Sequence, residues 1–396
     1  MLRAYGRLFD PPEARRLVAA SAGARLAIGI YLLPLLLSVE EATGSFAVAG
    51  VAGGAFSAGV AVAAPARGRL VDRRGSRAAL PLLALVSAVA LGLVAVLAGA
   101  APSAVLVVLC FVSGAATPPL VASMRLEWQR VLGPGDDRLA AAYSFENALQ
   151  TAVFVAGPLL AGLGIATIGE RAALGASAAL LLAGSLVFAA VAGVVPSPAH
   201  ARAGSPIRLP GVLTLVLMTG LADIGLGGID VIVAAFAERR GEPELAGVLL
   251  AIAAAGAIVG ALVYGGRPWP GALPTQLVVI GLVGAPLIAL LALPSAPIVL
   301  AVLLFAACAP STAQWSAASV ALDQAAGGRA SAEAFTWLSA ANSIGVGLGT
   351  VLGGAAVEQW GTGTAFLLIA ASPLLAAAIV VARRATLDVP AGRPLD

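Results

Sequence analysis

Apolar residues run along this chain in long blocks of about 20, the length that crosses a hydrocarbon core of about 30 Å as a helix. Short polar breaks rich in Arg, Gly and Pro separate the blocks. The blocks lie at 17–39, 46–66, 78–101, 104–124, 139–168, 171–195, 210–237, 245–265, 275–293, 297–321, 331–357 and 360–382, which predicts twelve membrane helices. The ten-residue alternation of a membrane barrel is missing, and the abundance of Ala, Leu and Gly suits closely packed helices. The predicted fold class is therefore an all-α integral membrane protein.

Composition agrees with the pattern. The 396 residues are 60% hydrophobic and 11% charged, and the mean hydropathy of +0.99 exceeds what a soluble domain of this size hides in its interior. The first apolar block is too long for the core of a signal peptide, and no small-residue cleavage site precedes Glu40 and Glu41, so it is expected to remain as a helix.

Arginines set the orientation. With the N-terminus in the cytoplasm, 19 of the 23 basic residues fall on the inner side, from Arg3 and Arg7 through Arg67, Arg69, Arg73, Arg74 and Arg77 to Arg383, Arg384 and Arg393. Arg171, Arg239 and Arg240 fall outside, and Arg25 lies within a block. The positive-inside rule then places both termini in the cytoplasm and the chain in the inner (plasma) membrane as a multi-pass protein. The net charge of +3 comes from dispersed loop arginines, so no nucleic-acid partner is implied.

The residue inventory excludes several chemistries. No lysine occurs anywhere, which rules out a phosphate-binding Gly-Lys-Ser/Thr loop and a lysine Schiff base. His200 is the single histidine and sits in the central polar stretch, so neither a histidine-built metal site nor a Ser-His-Asp triad within the membrane can form. Cys110 and Cys308 read as small packing residues. No enzyme activity, cofactor or metal is expected.

Residues 196–209, Pro-Ser-Pro-Ala-His-Ala-Arg-Ala-Gly-Ser-Pro-Ile-Arg-Leu, form a polar, Pro-rich linker between residues 1–195 and 210–396. An internal repeat supports the division. A shift of 192 residues pairs Tyr143-Ser144-Phe145 with Phe335-Thr336-Trp337, Gln150-Thr151 with Asn342-Ser343, Pro118 with Pro310, Gly157 with Gly349, Leu160 with Leu352, and Gly162 with Gly354.

Between the second and third blocks stands Gly68-Arg-Leu70-Val-Asp72-Arg73-Arg-Gly75-Ser-Arg77. This stretch reads as a tight loop: glycines permit a sharp reversal, Asp72 can cap a neighbouring helix N-terminus, and arginines hold the loop in the cytoplasm. It resembles the loop signature of the major facilitator superfamily of secondary transporters. In block 5, Gly157-Pro158 followed by Gly162 resembles the motif of that superfamily's twelve-helix drug/proton antiporter branch. The arginine which that branch often carries in helix 4 is replaced by Cys110, four residues before Gly114.

The resemblance implies two six-helix halves, a cavity lined by helices 1, 4, 7 and 10, and alternating access by rocking about the linker. It also implies a monomer that exports small hydrophobic or amphipathic molecules in exchange for protons. Uptake of a sugar or other metabolite, and a transport-inactive scaffold or sensor, remain as alternatives.

An ionised side chain near the bilayer centre costs ~2.5–3.5 kcal/mol, so charges inside the blocks are candidate functional groups. Asp223 lies ~20 Å along the helix from Pro210, near mid-membrane, and Asp230 is seven residues further on the same face. Arg25 and Glu146 reach similar depths, ~13 Å past Arg16 and ~12 Å past Arg138, and are expected to pair. With no lysine and no membrane histidine, carboxylates are the strong candidates for a proton carrier, Asp223 first and Glu146 second. Asn147, Gln150, Gln314, Trp315, Trp337 and Asn342 are candidates to line the cavity.

Overall fold

The structure, a computed structural model, describes residues 9, 11–133, 138–193, 206–265, 269–293, 296–325 and 332–387. Among these residues the regular structure is entirely helical. The helices are α1 (Pro12–Ile30), α2 (Leu32–Thr43), α3 (Phe46–Leu97), α4 (Ser103–Ala115), α5 (Leu120–Leu132), α6 (Arg138–Ile168) and α7 (Glu170–Val191). They continue with α8 (Pro210–Glu238), α9 (Leu245–Gly265), α10 (Leu273–Leu290), α11 (Pro297–Ala325), α12 (Ala332–Ile369) and α13 (Ala371–Ala382). Among the described residues, ten stretches are long and apolar enough to cross a membrane. One of them, Trp337–Ala382, has 46 residues, ~69 Å of helix against a core of about 30 Å, which is enough for two crossings. A shorter apolar helix spans Ala152–Ile168.

The breaks follow local chemistry. Pro34 and Pro373 lack an N–H, and their rings crowd the carbonyls of Ile30 and Ile369, where α1 and α12 end. Gly75 (φ 73°) and Gly361 (φ 84°) leave the helical region inside α3 and α12, where an L side chain would be strained.

Three features differ from the sequence expectation. The stretch 68–77 is helical on both sides of a single non-helical residue, Gly75, rather than a tight loop throughout. The predicted block 104–124 is interrupted at Ala116-Thr117-Pro118-Pro119, where two successive prolines cannot donate to a helix ladder. Beyond that break α5 runs to Leu132 and takes Arg125 and Arg130 into helix. Most of the expected linker, residues 196–205, and both chain ends lie outside the described residues.

The chain forms two compact units. Unit 1 comprises Met1–Ser45, Ala58–His200 and Arg240–Ala251; unit 2 comprises Phe46–Ser57, Ala201–Arg239 and Ile252–Asp396. These units are not contiguous in sequence, since the start of α3 clusters with unit 2 and the start of α9 with unit 1. Unit 1 is centred on Leu17, Ala24, Leu80, Met124, Trp128 and Phe188, and unit 2 on Leu215, Met218, Leu277, Leu322, Leu338 and Val380.

Each unit is tied together at a glycine. In unit 1, a Cβ on Gly157 of α6 would collide with the backbone of Gly29 on α1. In unit 2, a Cβ on Gly349 of α12 would collide with the backbone of Ile224 and Gly228 on α8. Gly157 and Gly349 are the pair related by the 192-residue shift, so the repeat places a close helix approach at the same residue in both units. Outside these seams, Val62, Val96, Leu262 and Ile298 are each more than two-thirds exposed, a surface that suits lipid rather than water.

Candidate functional site

Two polar constellations interrupt the apolar interior, one in each unit. In unit 2 a cavity of ≈ 40 Å³ opens between α8, α10, α11 and α13. Thr219 and Asp223 of α8 are four residues apart and so share the face that lines it. Ser311, Gln314 and Trp315 of α11 line it as well, with Leu226, Ile280 and Ile288 closing its apolar sides.

The cavity sits beside Pro310, which cannot donate to the helix ladder and loosens α11 at that turn. Two hydroxyls bond backbone carbonyls beside it: Ser311 Oγ donates to Cys308 O at 2.7 Å, and Thr312 Oγ1 donates across to Ala257 O on α9.

Asp223 is held from the side. Asn342 of α12 donates through Nδ2 to Asp223 Oδ2 at 2.9 Å. This joins two residues singled out separately in the sequence. Gln314 and Trp315 lie in the cavity as well, whereas Trp337 is exposed and does not line it. Asp230 is half-buried, neighbours Cys308, and has no hydrogen-bond or ion-pair partner among the described residues.

In unit 1 the ion pair expected from matched depth is present: Arg25 Nη2 bonds Glu146 Oε2. Both side chains are 1% exposed. Trp128 of α5, fully buried, donates through Nε1 to Glu146 Oε1 at 2.9 Å. Glu146 thus has both oxygens engaged. Arg25 Nε and Nη1 are buried with no acceptor among the described residues, a cost that single-partner pairing leaves unpaid. Gln150, one turn further along α6, is half-buried, and the side chain of Asn147 lies outside the described residues.

Sequence reasoning missed a second buried carboxylate in unit 1. Glu127 is fully buried; its two oxygens accept the Gly193 N–H at 3.1 Å each, and Oε2 also pairs with Arg130 Nε at 2.7 Å. Arg130 Nη1 reaches on to Glu13 at 3.1 Å. Glu127 and Trp128 lie just past the predicted end of block 4, within a charged stretch that reads as loop. Thr219 was missed for the opposite reason, because a lone hydroxyl in an apolar run carries no hydropathy signal.

Arg67 also departs from expectation. It is only 8% exposed, with Nη1 bonded to Thr117 O at 2.5 Å and Nη2 to Val60 O at 2.6 Å. Its guanidinium supplies donors to a carbonyl that the Pro118-Pro119 break leaves orphaned. In the neighbouring motif, Gly68 and Leu70 are half-buried while Arg73 and Arg77 are exposed. The side chains of Asp72 and Arg125, and residue Ser331, lie outside the described residues, so no docking partner of Asp72 is in view.

The Gly157-Pro158 motif of α6 has a packing role on both sides. Gly157 meets Gly29 on α1, while Cβ atoms on Gly162 and Gly247 would press on each other's helix around Pro158 and Glu244. A glycine seam therefore runs along the α6 motif to the start of α9 within unit 1.

Comparison with solved structures gives the fold independently. A point mutant of the nucleoside transporter NupG superposes with a TM-score of 0.76 at 15% identity, covering 93% of this chain and 98% of that one. The human organic anion transporter MFSD10 (TETRAN) gives 0.62 at 17% identity, covering 94% and 100%. A further NupG structure gives 0.64 at 16%, covering 93% and 99%. None of the curated proteins compared with the sequence matches it significantly. The sequence itself matches the Major Facilitator Superfamily over residues 17–269. With two helical units, carboxylates inside membrane-length helices and that match over more than half its length, the chain belongs to the major facilitator superfamily of membrane transporters and is not an enzyme.

Proposed function

We propose that this protein is a proton-coupled secondary transporter working by alternating access and exporting small hydrophobic or amphipathic molecules. One observation carries the reading: Asp223, on a membrane-length helix, lines a cavity with a neutral amide as its one described partner and no arginine paired to it. A static structural acid would be expected to sit in an ion pair, and Asp223 has none among the described residues. A carboxylate held by an amide can take up and release a proton without breaking a salt bridge.

Twelve crossings, in two halves joined by the 196–209 linker and with both termini on the cytoplasmic side, fit this function. Gly361 splits one 46-residue stretch into two helices, and Ala152–Ile168 supplies another. Glu146 with Arg25 is the secondary site, and Asp72 in the Gly68–Arg77 segment is the gating group. The export direction is supported by the Gly157-Pro158 motif, whose glycine is required where α6 meets α1. A second reading, uptake of a sugar or other metabolite, is favoured by the likeness to a nucleoside transporter and by Gln314, Trp315 and Asn342 around Asp223.

Export assays in cells sensitised by loss of other pumps separate the two readings. Expression should lower accumulation of amphipathic compounds, and the lowering should vanish when the proton gradient is collapsed. Increased accumulation of nucleosides or sugars, with no effect on amphipathic compounds, would replace export by uptake.

A further inference from the structure

Asp223 leaves an electrostatic question open. Its Oδ2 accepts from Asn342, its Oδ1 has no described donor, and no cationic side chain pairs with it among the described residues. A carboxylate ionised inside a membrane helix without a counter-charge is costly, so the site calls for a cation to neutralise it.

The surrounding cavity offers oxygen. Thr219 is 3% exposed, and its Oγ1 has no hydrogen-bond partner among the described residues. Ser311 Oγ spends its proton on Cys308 O at 2.7 Å, which leaves its lone pairs unused. The Gln314 amide, on a side chain 8% exposed, has no described hydrogen bond and lines the same space. Carboxylate, hydroxyl and amide oxygens are the donor set of hard cations.

Size and charge select the occupant. A volume of ≈ 40 Å³ holds a few water-sized particles at roughly 10–15 Å³ each. Pockets for drug-sized ligands run to about 300–1,000 Å³. One carboxylate at the cavity balances one positive charge, which favours a monovalent ion over a divalent one.

We propose that this cavity is a sodium-ion site, with Asp223 Oδ1, Thr219 Oγ1 and the Gln314 amide oxygen as ligands. The inference rests on the reading of Asp223 as an ion-carrying group, and it makes sodium and proton competitors for the same oxygens. Among the packed elements, α8 brings Asp230 and α11 brings Cys308 to the vicinity, while α10 and α13 carry no titratable residue. Glu333 and Glu358 of α12 lie ~13 Å or more along the helix from Asn342.

The test uses full-length protein purified in detergent at constant ionic strength, with NaCl exchanged for KCl or choline chloride. Radioactive sodium should bind at a single saturable site, and NaCl alone should raise Tm. The apparent Kd should increase as pH falls. Asp223→Asn should abolish both signals, Thr219→Val should weaken binding by about tenfold, the scale of one lost polar contact, and Thr219→Ser should retain it. Equal Tm in the three salts, or a sodium shift that survives Asp223→Asn, overturns the site. Proton-driven transport without sodium binding removes this inference and leaves the proposed function standing. Sodium binding without any proton-driven transport does the reverse.

Discussion

Removing one partner of the Arg25–Glu146 pair should cost far more than removing both. In Arg25→Gln, Glu146 stays 1% exposed with Trp128 as its one remaining charge-stabilising donor. In Glu146→Gln, a guanidinium that already has two unsatisfied nitrogens loses its counter-ion as well. Breaking a buried pair from one side costs ~3–5 kcal/mol, whereas replacing both charges with groups of similar volume is often neutral or better. Each single variant should therefore lose ~3–5 kcal/mol, with Glu146→Gln the worse of the two, and the double variant Arg25→Gln with Glu146→Gln should recover most of that loss. Unfolding in detergent, followed by the summed fluorescence of the five tryptophans, Trp128 among them, supplies the double-mutant cycle. Losses that add to within ~0.5 kcal/mol would show that the two side chains do not interact and would refute the reasoning.

Three further predictions follow from packing and from the Gly68–Arg77 segment. Gly157→Val and Gly349→Val should each reduce stability by ~1–3 kcal/mol because their side chains meet backbone on the neighbouring helix, while Gly92→Ala, with open space at its Cβ position, should be tolerated; equal unfolding midpoints for all three would contradict the seam. Arg67→Leu strips donors from Thr117 O and Val60 O and should cost ~1–3 kcal/mol in the same assay, and no loss would show that those carbonyls find other partners. Asp72→Asn should impair turnover while leaving expression and unfolding midpoint unchanged, and wild-type turnover in that variant would remove the gating role.

Hydropathy made the membrane helices legible because a run of ~20 apolar residues has few other uses. The Arg25–Glu146 pair was legible too, since helix rise converts sequence position into depth and opposite charges at one depth seek each other. What escaped were residues whose environment depends on a third element. Arg67 reads as a loop arginine until the Pro118-Pro119 break supplies it with a carbonyl. Glu127 reads as solvated until the Gly193 N–H and Arg130 enclose it. Asp223 was visible as a mid-membrane acid, but its link to Asn342, 119 positions away, was not, because nothing local relates α8 to α12. Thr219 was invisible because a threonine in a membrane helix ordinarily bonds its own backbone.

The central claim is that Asp223 couples a proton gradient to substrate movement. Purified protein in proteoliposomes, with an imposed proton gradient, should concentrate an amphipathic substrate against its own gradient. Asp223→Asn should lose this accumulation while still exchanging labelled for unlabelled substrate across the membrane. Accumulation by Asp223→Asn at the wild-type level, or wild-type transport indifferent to the proton gradient, would contradict the assignment.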